Sequence, residues 1–135
     1  MPTDIADRIE IADLFTRLAR LLDEKRWAET GDVFADDVAV HSPRGGELRG
    51  IDEVTGYLSR SDDEAQRTQH MTADLQVNVT GDEATASANS LVHFYRDGRA
   101  PHQTSGLRLF CTTVRTPVGW RIRDYRIVPA WTREN

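Results

Sequence analysis

Four side chains in this sequence can gain and lose a proton near neutral pH without special help: His41, His70, His93 and His102. A neutral imidazole can remove a proton from carbon next to a carbonyl. A carboxylate beside the ring then fixes its tautomer and stabilises the imidazolium that forms. Asp23 follows Leu21 and Leu22 at the end of an apolar helical run, so it reads either as a solvated helix-end charge or as a carboxylate turned into a pocket mouth. His70 stands in Arg67-Thr68-Gln69-His70-Met71, where polar residues give way to strand-like sequence. His93 lies inside a strand with Leu91 and Tyr95 on its own face, and by itself reads as a core histidine held by one hydrogen bond. His41 precedes Ser42-Pro43 and can close a strand end, whereas His102 sits in a loop between Pro101 and Gln103.

None of these residues belongs to a local motif. GxSxG, P-loop, GxGxxG and HExxH patterns are absent. Arg44-Gly-Gly-Glu-Leu-Arg-Gly50 has glycines but lacks the lysine and following helix of a phosphate cradle. The single cysteine, Cys111, excludes an internal disulfide and a thiolate zinc site. Asp23, His70 and His93 have the composition of a two-histidine, one-carboxylate iron site, but no spacing supports one, so no metal and no cofactor are expected.

The elements that must position these side chains divide the chain in two. Thr3 or Asp4 can cap a first helix, along which Ile11, Leu14, Phe15, Leu18, Leu21 and Leu22 recur at helical spacing to about Lys25. Trp27, Ala28, Val33 and Phe34 mark a short second helix. Val38 to Pro43 reads as a short strand, and Ile51 to about Ser59 as a third helix whose inner face holds Val54, Tyr57 and Leu58. Four long antiparallel strands follow. Leu75, Val77 and Val79 alternate in the first, and Ala86, Ala88, Ser90, Val92 and Phe94 in the second. Helices segregated from a consecutive antiparallel sheet define an α+β domain, and a curved sheet over the long helix would leave an apolar pocket at one end.

Composition sets the outer bounds. The chain has 135 residues, enough for one domain (1–135), with 39% hydrophobic and 29% charged residues. A net charge of -5 speaks against a nucleic-acid partner. No apolar leader or membrane span is visible, so a soluble, cytoplasmic protein is expected.

Four stretches carry a resemblance: LARLLDEKRWAETGDVFADDVAV, LRGIDEVTGYL, RTQHM and GWRIRDYRIVPAWTREN. Together they resemble, over nearly the whole chain, the SnoaL-like branch of the NTF2-like superfamily. The resemblance implies a cone of three N-terminal helices packed on a curved antiparallel sheet. It also implies a homo-oligomer, dimer or trimer, formed through that sheet, with Phe110, Thr112, Val114 and Trp131 as contact candidates. In site residues the chain is similar to scytalone dehydratase, which implies a pocket-facing set of Asp23, His70 and His93. The Asp–His pair of hexachlorocyclohexane dehydrochlorinase corresponds to Asp23 and His70, so either histidine is a partner for Asp23. Where the dehydratase has carbonyl-polarising tyrosines, this chain has Leu22 and His41, and a further family tyrosine is replaced by Leu18. His41, Leu18, Leu22, Trp27, Phe34, Tyr57, Tyr95 and Leu109 are the expected substrate-binding residues.

The resulting expectation is a cofactor-independent lyase or isomerase, dehydratase- or cyclase-like, acting on a small hydrophobic polyketide-, aromatic- or steroid-like substrate. The alternative is a non-catalytic small-molecule-binding or assembly module on the same fold. Epoxide hydrolysis would need an Asp–Arg–Asp set, for which Arg108 and Asp124 are scattered candidates.

Overall fold

Ile11, Leu14, Phe15, Leu18 and Leu21 form one buried stripe on α1 (Pro2–Glu24), and the rest of the molecule is arranged around it. The computed structural model describes residues 2–135. After α1 come a short 3-10 helix (Trp27–Asp32), β1 (Phe34–Ser42), β2 (Gly46–Arg49) and α2 (Ile51–Arg60). Four long strands complete the chain: β3 (Arg67–Thr80), β4 (Glu83–Tyr95), β5 (Gln103–Thr116) and β6 (Gly119–Glu134). They form one six-stranded sheet in the order β2-β1-β6-β5-β4-β3.

The α+β class and the β3-to-β6 meander match the sequence reading, while several local details differ. α1 already runs at Pro2, so Asp4 lies within its first turn, and the expected cap by the Thr3 side chain falls outside the described side chains. The second helix is a six-residue 3-10 turn, since Thr30, Gly31 and Asp32 are poor helix formers. Phe34 therefore begins β1 instead of ending a helix. The sheet is mixed, because β1 lies parallel to β6, with Val40 opposite Tyr125. That pairing is non-local and leaves no trace in either segment's alternation. β6 also continues past Pro129, which sits at the register shift between Gly106 and Leu107, where a missing N–H is tolerated.

Register shifts in the β1/β6, β3/β4 and β5/β6 pairs bend the strands over α1. The inward face carries Ala84, Ala86 and Ala88 on β4, Leu109 and Cys111 on β5, and Trp120, Ile122 and Tyr125 on β6. The alanines are small, which leaves room for the larger side chains of α1 and β6. Burying each large apolar side chain contributes about 1.5–3 kcal/mol. On the outward face Trp131 lies over Gly106, where an added Cβ would come within 2.4 Å of the indole. Phe110 and Trp131 are exposed there, whereas Val114, expected as a contact residue, is buried. Among the described residues no helix is long and apolar enough to cross a membrane.

The N-terminal half of α1 is pinned by polar contacts. Arg115 donates to both Asp7 oxygens at 2.9 Å, and the Trp120 indole donates to Asp7 Oδ1 at 3.1 Å. The Trp120 amide donates to Glu10 at 2.6 Å. Hydrogen bonds from Arg115 and then Trp120 hold the Asp7 carboxyl below its ordinary 3.8, against the opposing effect of burial.

Two outcomes are expected. Trp120 is 1% exposed, so Trp120→Ala should cost about 3–5 kcal/mol in urea unfolding. A carboxyl lowered on folding stabilises above its unfolded pKa, and that contribution is lost as pH falls through the folded one. Asp7→Asn should therefore lower the melting temperature at pH 7, by a margin that narrows as the pH falls below 3.8 towards the lowered folded pKa. An equal margin at both ends would remove Asp7 from the acid limb.

Candidate active site

α1 ends in a geometry that aims Asp23. The Arg26 amide donates back to the Leu21 carbonyl at 2.9 Å, and Lys25 adopts a left-handed φ of 57°. This closing motif usually takes glycine. Here Lys25 is held by an ion pair to Asp62 at 2.7 Å and a hydrogen bond to the Asp63 carbonyl at 2.8 Å. Asp23 thus emerges one residue before the helix end, beside β3, the edge strand of the sheet.

An edge strand presents N–H groups with no neighbouring strand to accept them. Asp23 accepts one of these, from the His70 backbone, at 3.0 and 3.2 Å to its two oxygens. It accepts the Thr68 hydroxyl at 3.0 Å and stands 2.6 Å from His70 Nδ1. A carboxylate can only accept, so Nδ1 carries the proton and donates it. In the neutral ring Nε2 is then the basic nitrogen. Burial pushes the Asp23 carboxyl up, but the hydrogen bonds from the His70 ring, its N–H and Thr68, with the charge of His70, outweigh it and hold the pKa below 3.8.

The ring borders a cavity of about 60 Å³ between α1 and the inward face. Leu18, Leu22 and Leu109 line it as expected, and so do Phe15, Ser90 and Tyr125, which the sequence reading did not select. Period-two alternation through Ile122 and Asp124 would turn Tyr125 outward. The register shift between Thr112 and Thr113 turns it in. A larger recess of about 690 Å³ lies at the other end of the strands, but it is open, charged by Asp36, Asp37, Asp82, Arg121 and Arg123, and has no histidine. The smaller apolar cavity is the better candidate for proton chemistry.

Several expected site residues lie elsewhere. His93 pairs across the ladder with Gln69 and Thr104, one position out of step with His70, which pairs with Val92. One residue reverses the face of a strand, so His93 points outward and bonds Thr104 at 3.0 Å. Tyr95 shares that outward face. His41 is also outward, 3.2 Å from Asp124 and 3.6 Å from Glu47. Phe34 is buried against Tyr125, with ring centroids 6.2 Å apart. Tyr57 packs on the β1–β2 turn at Gly45, and Trp27 packs at the core margin. Arg108 is exposed on β5, away from the cavity. Asp23 and His70 cannot share an ion with His93 through the sheet, and no group of three potential ligands converges among the described residues.

The SnoaL-like domain family matches residues 3–126. An uncharacterized protein of Mycobacterium tuberculosis is 29% identical over 126 residues, covering 88% of this chain and 82% of its own. A solved structure from Novosphingobium aromaticivorans, provisionally named a scytalone dehydratase, superposes with a TM-score of 0.86 at 17% identity, covering 99% of this chain and 91% of that one. A type 2 hexachlorocyclohexane dehydrochlorinase superposes at 0.84 with 14% identity, covering 98% and 90%.

Asp23→Asn removes the negative charge and one of the two acceptor oxygens that serve the edge strand and the ring. It should cost about 1–3 kcal/mol at pH 7 in urea unfolding. The deficit should shrink as pH falls below 3.8 towards the lowered folded pKa. A variant as stable as the parent at pH 7 would refute the shared-acceptor role.

Proposed function

The chain belongs to the SnoaL-like domain family of the NTF2-like superfamily, and from that premise we propose that it is a cofactor-independent lyase or isomerase. It removes a proton made acidic by the carbonyl of a small hydrophobic substrate of polyketide, aromatic or steroid-like character. The observation that carries this reading is the 2.6 Å contact between His70 Nδ1 and Asp23, with the same ring at an apolar cavity.

His70 Nε2 takes the proton, Asp23 stabilises the imidazolium, and the apolar walls keep water from screening the pair. With His93 on the other face, one ring does both jobs. The imidazolium returns its proton to a leaving hydroxyl, giving elimination, or to another carbon of the substrate, giving isomerisation. The names of the two similar structures, a dehydratase and a dehydrochlorinase, fit elimination. The cavity is far below the roughly 300 Å³ at which ligand pockets begin, so substrate entry displaces partly buried side chains at its rim, Leu22, Leu107 and Ile127.

The test is a panel of β-hydroxy and β-halo ketones followed by nuclear magnetic resonance. His70→Gln should lower turnover by about 10²–10⁴-fold while circular dichroism shows an intact fold. His93→Ala should leave turnover unchanged. Ligand uptake with no turnover by the parent protein would instead favour a binding module, and full turnover by His70→Gln would remove His70 as the base.

A further inference from the structure

Phe94 lies one inward row beyond the base. It follows Val92 by two residues on β4 and so shares its face. Across the ladder it pairs with Thr68, whose hydroxyl donates to Asp23. At the opposite end the inward face is sealed, with Ala84, Thr113 and Ile122 at 3%, 0% and 0% exposed, whereas Phe94 is only partly buried. The cavity therefore opens towards Phe94.

A guanidinium stands over that ring. Arg44 lies 5.4 Å from the Phe94 centroid, although β6 and β5 separate β1 from β4 in the sheet. The contact therefore crosses the concave side at the mouth, from the turn between β1 and β2 to β4. The turn is braced for it. Ser42 Oγ accepts the amides of Arg44 at 3.4 Å and Gly45 at 3.3 Å. The Tyr57 ring packs where a side chain on Gly45 would lie, 3.0 Å from an added Cβ.

The Arg44 side chain has no ion pair among the described residues. Glu47, the carboxylate of the same hairpin, meets Arg49 at 2.6 Å and lies 3.6 Å from His41. Arg67 and Arg96, beside the ends of β3 and β4, meet Asp97 and Asp63. A guanidinium resting on an aromatic face keeps its N–H edge free, and that fork fits both oxygens of a carboxylate. Arg44 is exposed, so an anion held there stays partly in water and avoids the cost of burial. With a net charge of -5, a positive mouth does not follow from composition.

We infer that Arg44 selects a substrate bearing a carboxylate, which lies with its anion at the mouth, its acidic C–H at His70 and its apolar end against Leu109 and Ile127. This rests on the lyase or isomerase reading and narrows its substrate class to ketones that carry an acid. Two residues of strand, about 7 Å, separate the rows of Phe94 and Val92, the reach of a short methylene chain between carboxylate and reacting carbon. His70 Nε2 removes the proton on the carbon next to the ketone. The C–H electron pair becomes the C=C bond of an enolate, and the carbonyl π pair moves to oxygen. Return of a proton from the imidazolium completes an exchange.

The probe is 7-oxo-7-phenylheptanoate, compared with its uncharged methyl ester. Calorimetry gives the dissociation constants, and nuclear magnetic resonance in deuterium oxide follows exchange at the carbon next to the ketone. The parent should bind the acid about 5–10-fold more tightly than the ester, and added salt should shrink that preference. Arg44→Gln should bring the acid to the affinity of the ester, and Arg44→Lys should recover part of the difference. In exchange the preference should appear in KM and not in kcat. No binding of the acid, equal affinity of the parent for acid and ester, or an Arg44→Gln loss shared equally by both would overturn the role of Arg44 without touching His70 as the base. Selective binding of the acid with no exchange over buffer, or undiminished exchange in His70→Gln, would overturn His70 as the base and the placing of the reacting carbon there, and leave Arg44 as the anion-binding residue.

Discussion

The carboxylate of Asp23 ties together three features that meet at one point. It ends α1, it accepts the outward amide of the edge strand β3, and it orients the His70 ring. Its position is costly in isolation, because the carbonyls of a helix C-terminus repel an anion and burial adds to that cost. Four donor contacts reverse the balance. The same contacts that make the ion tolerable fix the tautomer of the ring, so local stability and the basicity of Nε2 come from one arrangement.

α1 is anchored to the sheet by a carboxylate at each end, and the two anchors differ in their partners. Asp7 meets the guanidinium of Arg115, which stays charged at every accessible pH. That contact also stacks Arg115 on Trp120, 4.7 Å from the ring centroid. Asp23 meets an imidazole, which can change its charge. One end is therefore a permanent fastening and the other a proton-handling couple, although both use a carboxylate that accepts several donors. The cavity opens only at the second end. Its walls come from α1 and the inward rows of the sheet, which also form the core, so substrate space and hydrophobic stability draw on the same surface.

Much of this was legible in the chain. Helical spacing of Ile11 to Leu22 marked α1 and its buried stripe, and alternation in β4 separated Ala86, Ala88, Ser90 and Val92 from Leu91, His93 and Tyr95. That second pattern already put His93 on the opposite face from Val92. What it lacked was the register to β3, which decides whether His70 goes with the inward or the outward set. The likeness to scytalone dehydratase placed all three groups in one pocket, and one residue of register separates His93 from it. Tyr125 escaped for a related reason, because a register shift interrupts the alternation of β6 just before it.

The sequence by itself determined the α+β class, the long amphipathic helix, the strand meander and the short list of groups able to move protons. These depend on contacts between residues near one another along the chain, or on residue type alone. Tertiary structure decided that β1 runs parallel to β6, that Asp23 selects His70 over His93, and that Tyr125 rather than His41 faces the cavity. Each of these turns on the register of distant strands, where a step of one residue exchanges the two faces of the sheet and costs nothing that local propensity would reveal.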